Sequence, residues 1–201
     1  MLEDIPPILD LHNHPEFEPY AIALGKLSHA WNHLHEALGQ LFWATLGVQN
    51  GAIPLAVWYS STSDHAQREM LRAAIAAASG QPRFAKFPSA REDVSWLLKE
   101  VDKIRGIRND AIHAPIGIQR ESEGFSVVPW SHMGNPRAKA LLSKDLVKEY
   151  EWSSRKAGTL SGFAYLMSSS LWFPTTHGWP KRPKLPTLND KGASELGQKT
   201  S

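Results

Sequence analysis

The chain of 201 residues contains no cysteine. That excludes disulfides and thiolate metal sites and is consistent with a reducing compartment. Long apolar runs are missing too. No stretch of about 18 apolar residues occurs, so no transmembrane helix and no membrane partner is expected. Met1 to Asp10 carries Glu3, Asp4 and Pro6-Pro7. Lacking a basic start and an apolar run, it does not read as a signal peptide. Charge of one sign is scarce as well: 22 Lys and Arg oppose 20 Asp and Glu, for a net charge of +2. This balance does not mark the whole chain as a nucleic-acid binder, so a polyanion would need a local basic patch. An apolar fraction of 42% is enough for a real core. The expectation is a soluble, cytoplasmic protein, with one domain spanning 1–172 and a tail from 173 to 201.

What is present is helical periodicity. Leu24, Leu27, Trp31, Leu34, Leu38, Leu41 and Thr45 recur at spacings of three and four, which predicts a helix from Phe17 to Gly47. Val48 to Ser63, with Gly51 and Pro54, reads as a connector. A second helix is expected from Ser63 or Asp64, with Met70, Leu71, Ile75 and Ala78 as its apolar positions, ending at Gly80 and Pro82. Ser89, with Glu92 three residues on, reads as a capping box for a third helix. Val94, Leu97, Leu98, Val101, Ile104 and Ile107 form its apolar face.

Residues 114–143 read as an irregular insertion, with a candidate hairpin joining Ile116–Gln119 to Phe125–Val128. A fourth helix is expected from Ser143 to Trp172, on the stripe Leu146, Tyr150, Ser153, Ala157, Leu160, Ala164, Met167 and Leu171. Gly158 and Gly162 on it would permit close approach of a neighbour. The Pro- and Lys-rich stretch 173–201 lacks periodicity and is expected to be disordered or draped over the surface. The sum is an all-α bundle of four to five up-and-down helices.

The run Arg108-Asn109-Asp110-Ala111-Ile112-His113, followed by Pro115, closes the third helix. Ten arginines and nine histidines in 201 positions give roughly 0.45 such Arg–His spacings by chance, so spacing alone says little. Context says more. Arg108 follows Ile104 by four residues, which puts a cation on or beside the buried stripe. His113 lies five residues on, about 140° around a straight helix. The two converge only if the helix unwinds near Ala111–Ala114, which Pro115 favours, or if a second copy supplies the other half. The plainer alternative is a basic pair at the negative end of a helix dipole.

The run Ile107-Arg108-Asn109-Asp110-Ala111-Ile112-His113-Ala114-Pro115 resembles the motif of the HEPN superfamily. Those four- or five-helix bundles carry an Arg, a following polar residue, and a His four to six residues after the Arg, at the end of the third core helix. The resemblance covers roughly residues 14–172. Its detail is confined to the motif and the helix order, and the segment 117–143 and the tail depart from it. It implies either a metal-independent endoribonuclease of toxin–antitoxin or antiviral systems, or a non-catalytic relative that binds nucleotide, RNA or a partner protein such as an antitoxin. It also implies a homodimer that joins two motifs.

Cleaving RNA through its own 2′-hydroxyl needs a proton acceptor, a proton donor and a cation for the phosphorane. An imidazole such as that of His113 can accept or donate a proton in acid–base catalysis, and Arg108 can hold two phosphate oxygens. Asn109 could orient phosphate or imidazole, and Asp110 could fix the His113 tautomer. Arg105 could extend the phosphate surface or pair with Asp102 or Glu100. Glu36 could be the acidic partner of Arg108. No metal or cofactor is expected. His29 and His33 have a spacing that can hold zinc, but they read better as a solvated face. His35 reads as a packed histidine that could face the site, and His12 and His14 as a polar lead-in. Lys181, Arg182 and Lys184 around Trp179 could hold single-stranded RNA or form a solvated linker. Trp130 and Trp172 read as packing anchors. The remaining alternative is an unrelated helical scaffold.

Overall fold

The computed structural model describes residues 13–189, apart from 79, 123, 132 and 133. The molecule is mostly helical. The order is α1 (Phe17–Leu46), α2 (Ala52–Ser60), α3 (Asp64–Ala78), a 3-10 turn (Pro82–Lys86), α4 (Ala90–His113), β1 (Ile116–Glu121), β2 (Gly124–Pro129), α5 (Pro136–Leu141) and α6 (Leu146–Trp172).

The apolar stripes read from the sequence become the core. Leu27, Trp31, Leu34, Leu38 and Leu41 of α1 are buried, as are Val94, Leu97, Leu98, Val101 and Ile104 of α4 and Ala157, Leu160, Ala164, Met167 and Leu171 of α6. α1 stops at Gly47, whose left-handed φ of 68° turns its N–H back to the Trp43 carbonyl at 3.2 Å. This is the common glycine ending of a helix.

Helix direction follows from which residues meet. Ser154 and Ser161 of α6 donate to the carbonyls of Lys26 and His33 on α1, at 3.3 and 3.4 Å. The partners advance together, so the first and last helices run parallel. α4 runs against α6, because Glu100 meets Lys156 and Trp96 meets Phe163. A four-helix alternation would place its first and last members antiparallel. The missing reversal comes from α2, inside the stretch expected to be a connector. Trp58 of α2 returns onto α1 at Gly39, where an added Cβ would lie 2.9 Å from the indole nitrogen. The alternation therefore holds over five helices, with α2 as the short second one. Pro54 does not prevent α2, because it stands in the first turn, where the missing N–H has no intrahelical partner.

Two helix starts differ from expectation. Ser89 has helical backbone angles and makes no cap bond, so the capping box is not formed. α6 begins at Leu146, capped by Asp145, whose carboxylate accepts from the Lys148 N–H at 3.1 Å. Ser143 stands at φ 63°, outside the helical region.

The expected hairpin forms in the register Ile116 opposite Pro129, extended to Glu121 and Gly124. A short helix, α5, follows it with Asn135 as its cap. Ile116, Val127, Ala138 and Leu141 close a second small core with Tyr20, Leu27, Ala111, Ala114 and Tyr150. This core pins the end of α4 against the start of α1 and of α6. The Tyr20 hydroxyl reaches the Ala111 carbonyl at 3.5 Å.

Of the two expectations for the stretch after 172, residues 173–189 follow the draped one and not the disordered one: they are seated on the bundle. Trp179 packs on Phe87 at 5.1 Å and donates to Asp93 at 2.8 Å. Arg182 pairs with Asp93 and Glu92, and Trp152 donates to the Pro186 carbonyl at 2.9 Å. Irregular backbone leaves no periodicity to read, and the anchors are single side chains meeting acids on α4. The rest of that stretch, 190–201, and His12 lie outside the described residues. Gly158 and Gly162 are exposed, with no atom of the described residues near enough to use their lack of a side chain.

Candidate functional site

α4 runs unbroken through the motif to His113, its last residue. Ala114 then turns extended, φ −75° and ψ 132°, ahead of Pro115. The helix does not unwind before the histidine. Arg108 and His113 therefore point apart within one chain. Arg108 turns toward α1, with its guanidinium 5.9 Å from the centre of the Trp31 ring. One of its terminal nitrogens donates to the Asn109 side-chain oxygen at 3.1 Å. Its Nε is buried and has no hydrogen-bond partner among the described residues. His113 is exposed at the end of the helix.

The neighbours do other work than expected. Asp110 faces Arg137 of α5 at 3.7 Å, so its ion-pair partner is an arginine and not the imidazole. Glu36 lies in a groove between α1 and α6, lined also by Gln40, Trp43, Tyr165 and Trp172. It is not an ion-pair partner of Arg108. Arg105 has no ion pair among the described residues. Asp102 is taken by Arg68 and Arg72, and Glu100 by Lys103 and Lys156. The His29 and His33 rings lie 4.7 Å apart on the exposed face of α1. Among the described residues no three His, Asp or Glu side chains are grouped to hold a metal ion.

Just beyond the motif the chain opens into a cleft of about 980 Å³ between the hairpin, the start of α1 and the segment before α6. Its lining includes Gly117, four residues after His113, together with Tyr20, Phe125, Trp130, Arg120 and Lys144. The Trp130 N–H donates to the Pro115 carbonyl at 2.7 Å, which ties this aromatic to the motif. Trp130 is 52% exposed, so its packing is on the hairpin and not in the core. Its ring lies on Gly117, where an added Cβ would come within 2.9 Å. Trp172 does pack, against Trp43 at 5.0 Å.

A polar cluster between α1, α3 and α4 is not evident from the sequence, which shows only that His35 is a packed histidine. The Trp31 indole donates to Asp64 at 3.0 Å. The amide nitrogen of Gln67 donates to the carbonyls of Trp58 and Ser61, so its oxygen accepts from His35 Nδ1 at 3.1 Å. That fixes the neutral tautomer with the free lone pair on Nε2. Burial pushes the His35 pKa down. The Asp64 carboxylate and the Gln67 bond oppose this shift, and the Arg68 and Arg108 charges reinforce it. Arg68 is 0% exposed, and its Nε donates to Asp102 at 3.0 Å. Burial pulls its pKa below the usual arginine value against the pull of Asp102. The available hint was spacing: Arg68 precedes Leu71, Ile75 and Ala78 on the buried stripe of α3.

No family model matches the chain, and searches of curated proteins and of solved structures return no match.

Proposed function

We propose that the chain is a HEPN-type, metal-independent endoribonuclease that cleaves RNA through its 2′-hydroxyl at a site shared by two copies. One observation carries this reading. An unbroken α4 presents His113 outward at the end of the bundle and turns Arg108 inward, so a single copy offers one exposed imidazole and no adjacent guanidinium. Two copies meeting around a two-fold axis at the end of α4 supply an acid, a base and two cations for the phosphorane. Asn109 orients the Arg108 guanidinium. The aromatic and basic side chains of the adjoining cleft suit a single strand, since bases stack on aromatic faces without regard to sequence. A defence or toxin role, with an antitoxin as partner, belongs to the same proposal.

The test is cleavage of a single-stranded RNA in EDTA by purified protein, with end analysis and sedimentation. Products with 2′,3′-cyclic phosphate and 5′-hydroxyl ends, made by a dimer, are expected. Activity that requires a divalent ion would overturn the mechanism. The second reading is a non-catalytic module that binds RNA or nucleotide. It is favoured by the aromatic and basic lining of the adjoining cleft, which can hold a strand without either Arg108 or His113. Retention of RNA without any product selects it.

A further inference from the structure

We propose that His35, Arg68 and Arg108 form an oxyanion subsite, for a phosphate group, between α1, α3 and α4. Four nitrogens from three helices are buried there with no hydrogen-bond partner among the described residues: His35 Nε2, both terminal nitrogens of Arg68, and Arg108 Nε. His35 is 9% exposed and Arg68 0%. Unpartnered polar atoms are costly to bury, and two cations beside one imidazole compound that cost. Nearby carboxylates do not bond these four nitrogens: the oxygens of Asp102 are taken by Arg68 Nε and Arg72, and Asp64 holds the Trp31 indole with one oxygen and stands 3.9 Å from His35 Nδ1 with the other. What the cluster lacks is an acceptor with several oxygens and negative charge, and a phosphate group supplies both.

The groups that face His35 are Trp31 on its own helix, Asp64, Gln67 and Arg68 on α3, and Arg108 on α4. With Nδ1 engaged by Gln67, Nε2 is the atom left for the ligand. It accepts from the hydroxyl of a monohydrogen phosphate, or takes up a proton and donates to a fully ionised oxyanion. Arg108 is the way in, because it is half-buried and its guanidinium lies over Trp31 without a carboxylate partner among the described residues. The subsite shares Arg108 with the proposed ribonuclease site but does not use His113.

The experiment is thermal unfolding of the full chain with inorganic phosphate, against chloride at matched ionic strength. A saturable rise in Tm is expected, of about 3–5 °C at about ten times the half-saturating concentration. Arg68→Gln abolishes it, and Arg108→Gln does so too should the first variant not fold. His113→Ala retains it. No saturable rise in the wild type, or a rise that survives loss of either arginine, overturns the proposal. Competition by a 2′-deoxy oligonucleotide identifies a nucleic-acid phosphodiester as the natural source; phosphate binding without competition identifies a free phosphate or monoester. Phosphate binding without RNA cleavage would sink the ribonuclease reading and leave the subsite standing. RNA cleavage without the phosphate effect would do the reverse.

Discussion

Arg108 and His113 stand on one uninterrupted helix, and the guanidinium faces Trp31 while the imidazole stays at the exposed end. Five helical residues separate them by about 140° of rotation. That relationship keeps the two side chains of a single copy from acting on one phosphate, and it is why the proposed ribonuclease site takes a second copy.

The interior makes stability depend on pH. Burial, outweighing Asp64 and Gln67, holds the His35 pKa below the ordinary histidine value. Near pH 6.5 the unfolded chain therefore binds a proton that the folded chain does not. Stability is fully present above the unfolded value of about 6.5 and declines as the pH falls below it. The slope from this group is at most about 1.4 kcal/mol per pH unit. Urea titrations between pH 7.5 and 5 should show it, and His35→Gln should flatten it. A wild type equally stable across that range contradicts the account.

Glu100 and Lys156 form a buried pair at 2.9 Å between α4 and α6. Burial works to raise the Glu100 pKa, and bonds from Lys103 and Lys156 outweigh it, leaving the carboxyl below its usual range. Glu100→Gln strands the Lys156 charge and should cost about 3–5 kcal/mol by urea unfolding. Replacing both residues with Met should recover most of that loss. A single variant as stable as wild type would show that the pair is not buried in solution.

Trp179 should act as the anchor of the segment after α6. Trp179→Ala removes the packing on Phe87 and the bond to Asp93. The expected loss is about 2–3 kcal/mol, below the value for a fully buried tryptophan because this one is partly exposed. Proteolysis should then release the segment after Trp172. Unchanged stability and protease resistance would show that the segment is not held by this residue.

The long helices were legible because their apolar residues recur at helical spacing over 24 to 30 positions. The hairpin was legible from glycine and β-branched residues. α2 was hidden by Pro54 and by its short, uncharged sequence, in which only Pro54 and Trp58 are buried. The seating of Trp179 and Arg182 could not be read, since it depends on acids some 86 to 90 positions away in the chain. Of the candidate site, the position of Arg108 beside the buried stripe was readable from its distance to Ile104. The assignments for Glu36 and Asp110 required knowing which faces of α1 and α4 meet which neighbours. Arg68 was readable as a stripe position, but charge and composition argue against placing an arginine there.

The ribonuclease proposal stands or falls on the rate of RNA cleavage in EDTA by wild type and His113→Ala, with both proteins checked for folding by circular dichroism. Cyclic-phosphate products are expected from the wild type and a rate lower by about 10²- to 10⁴-fold in the variant, the usual contribution of one acid–base group. Cleavage that continues undiminished without the His113 imidazole would contradict the proposal.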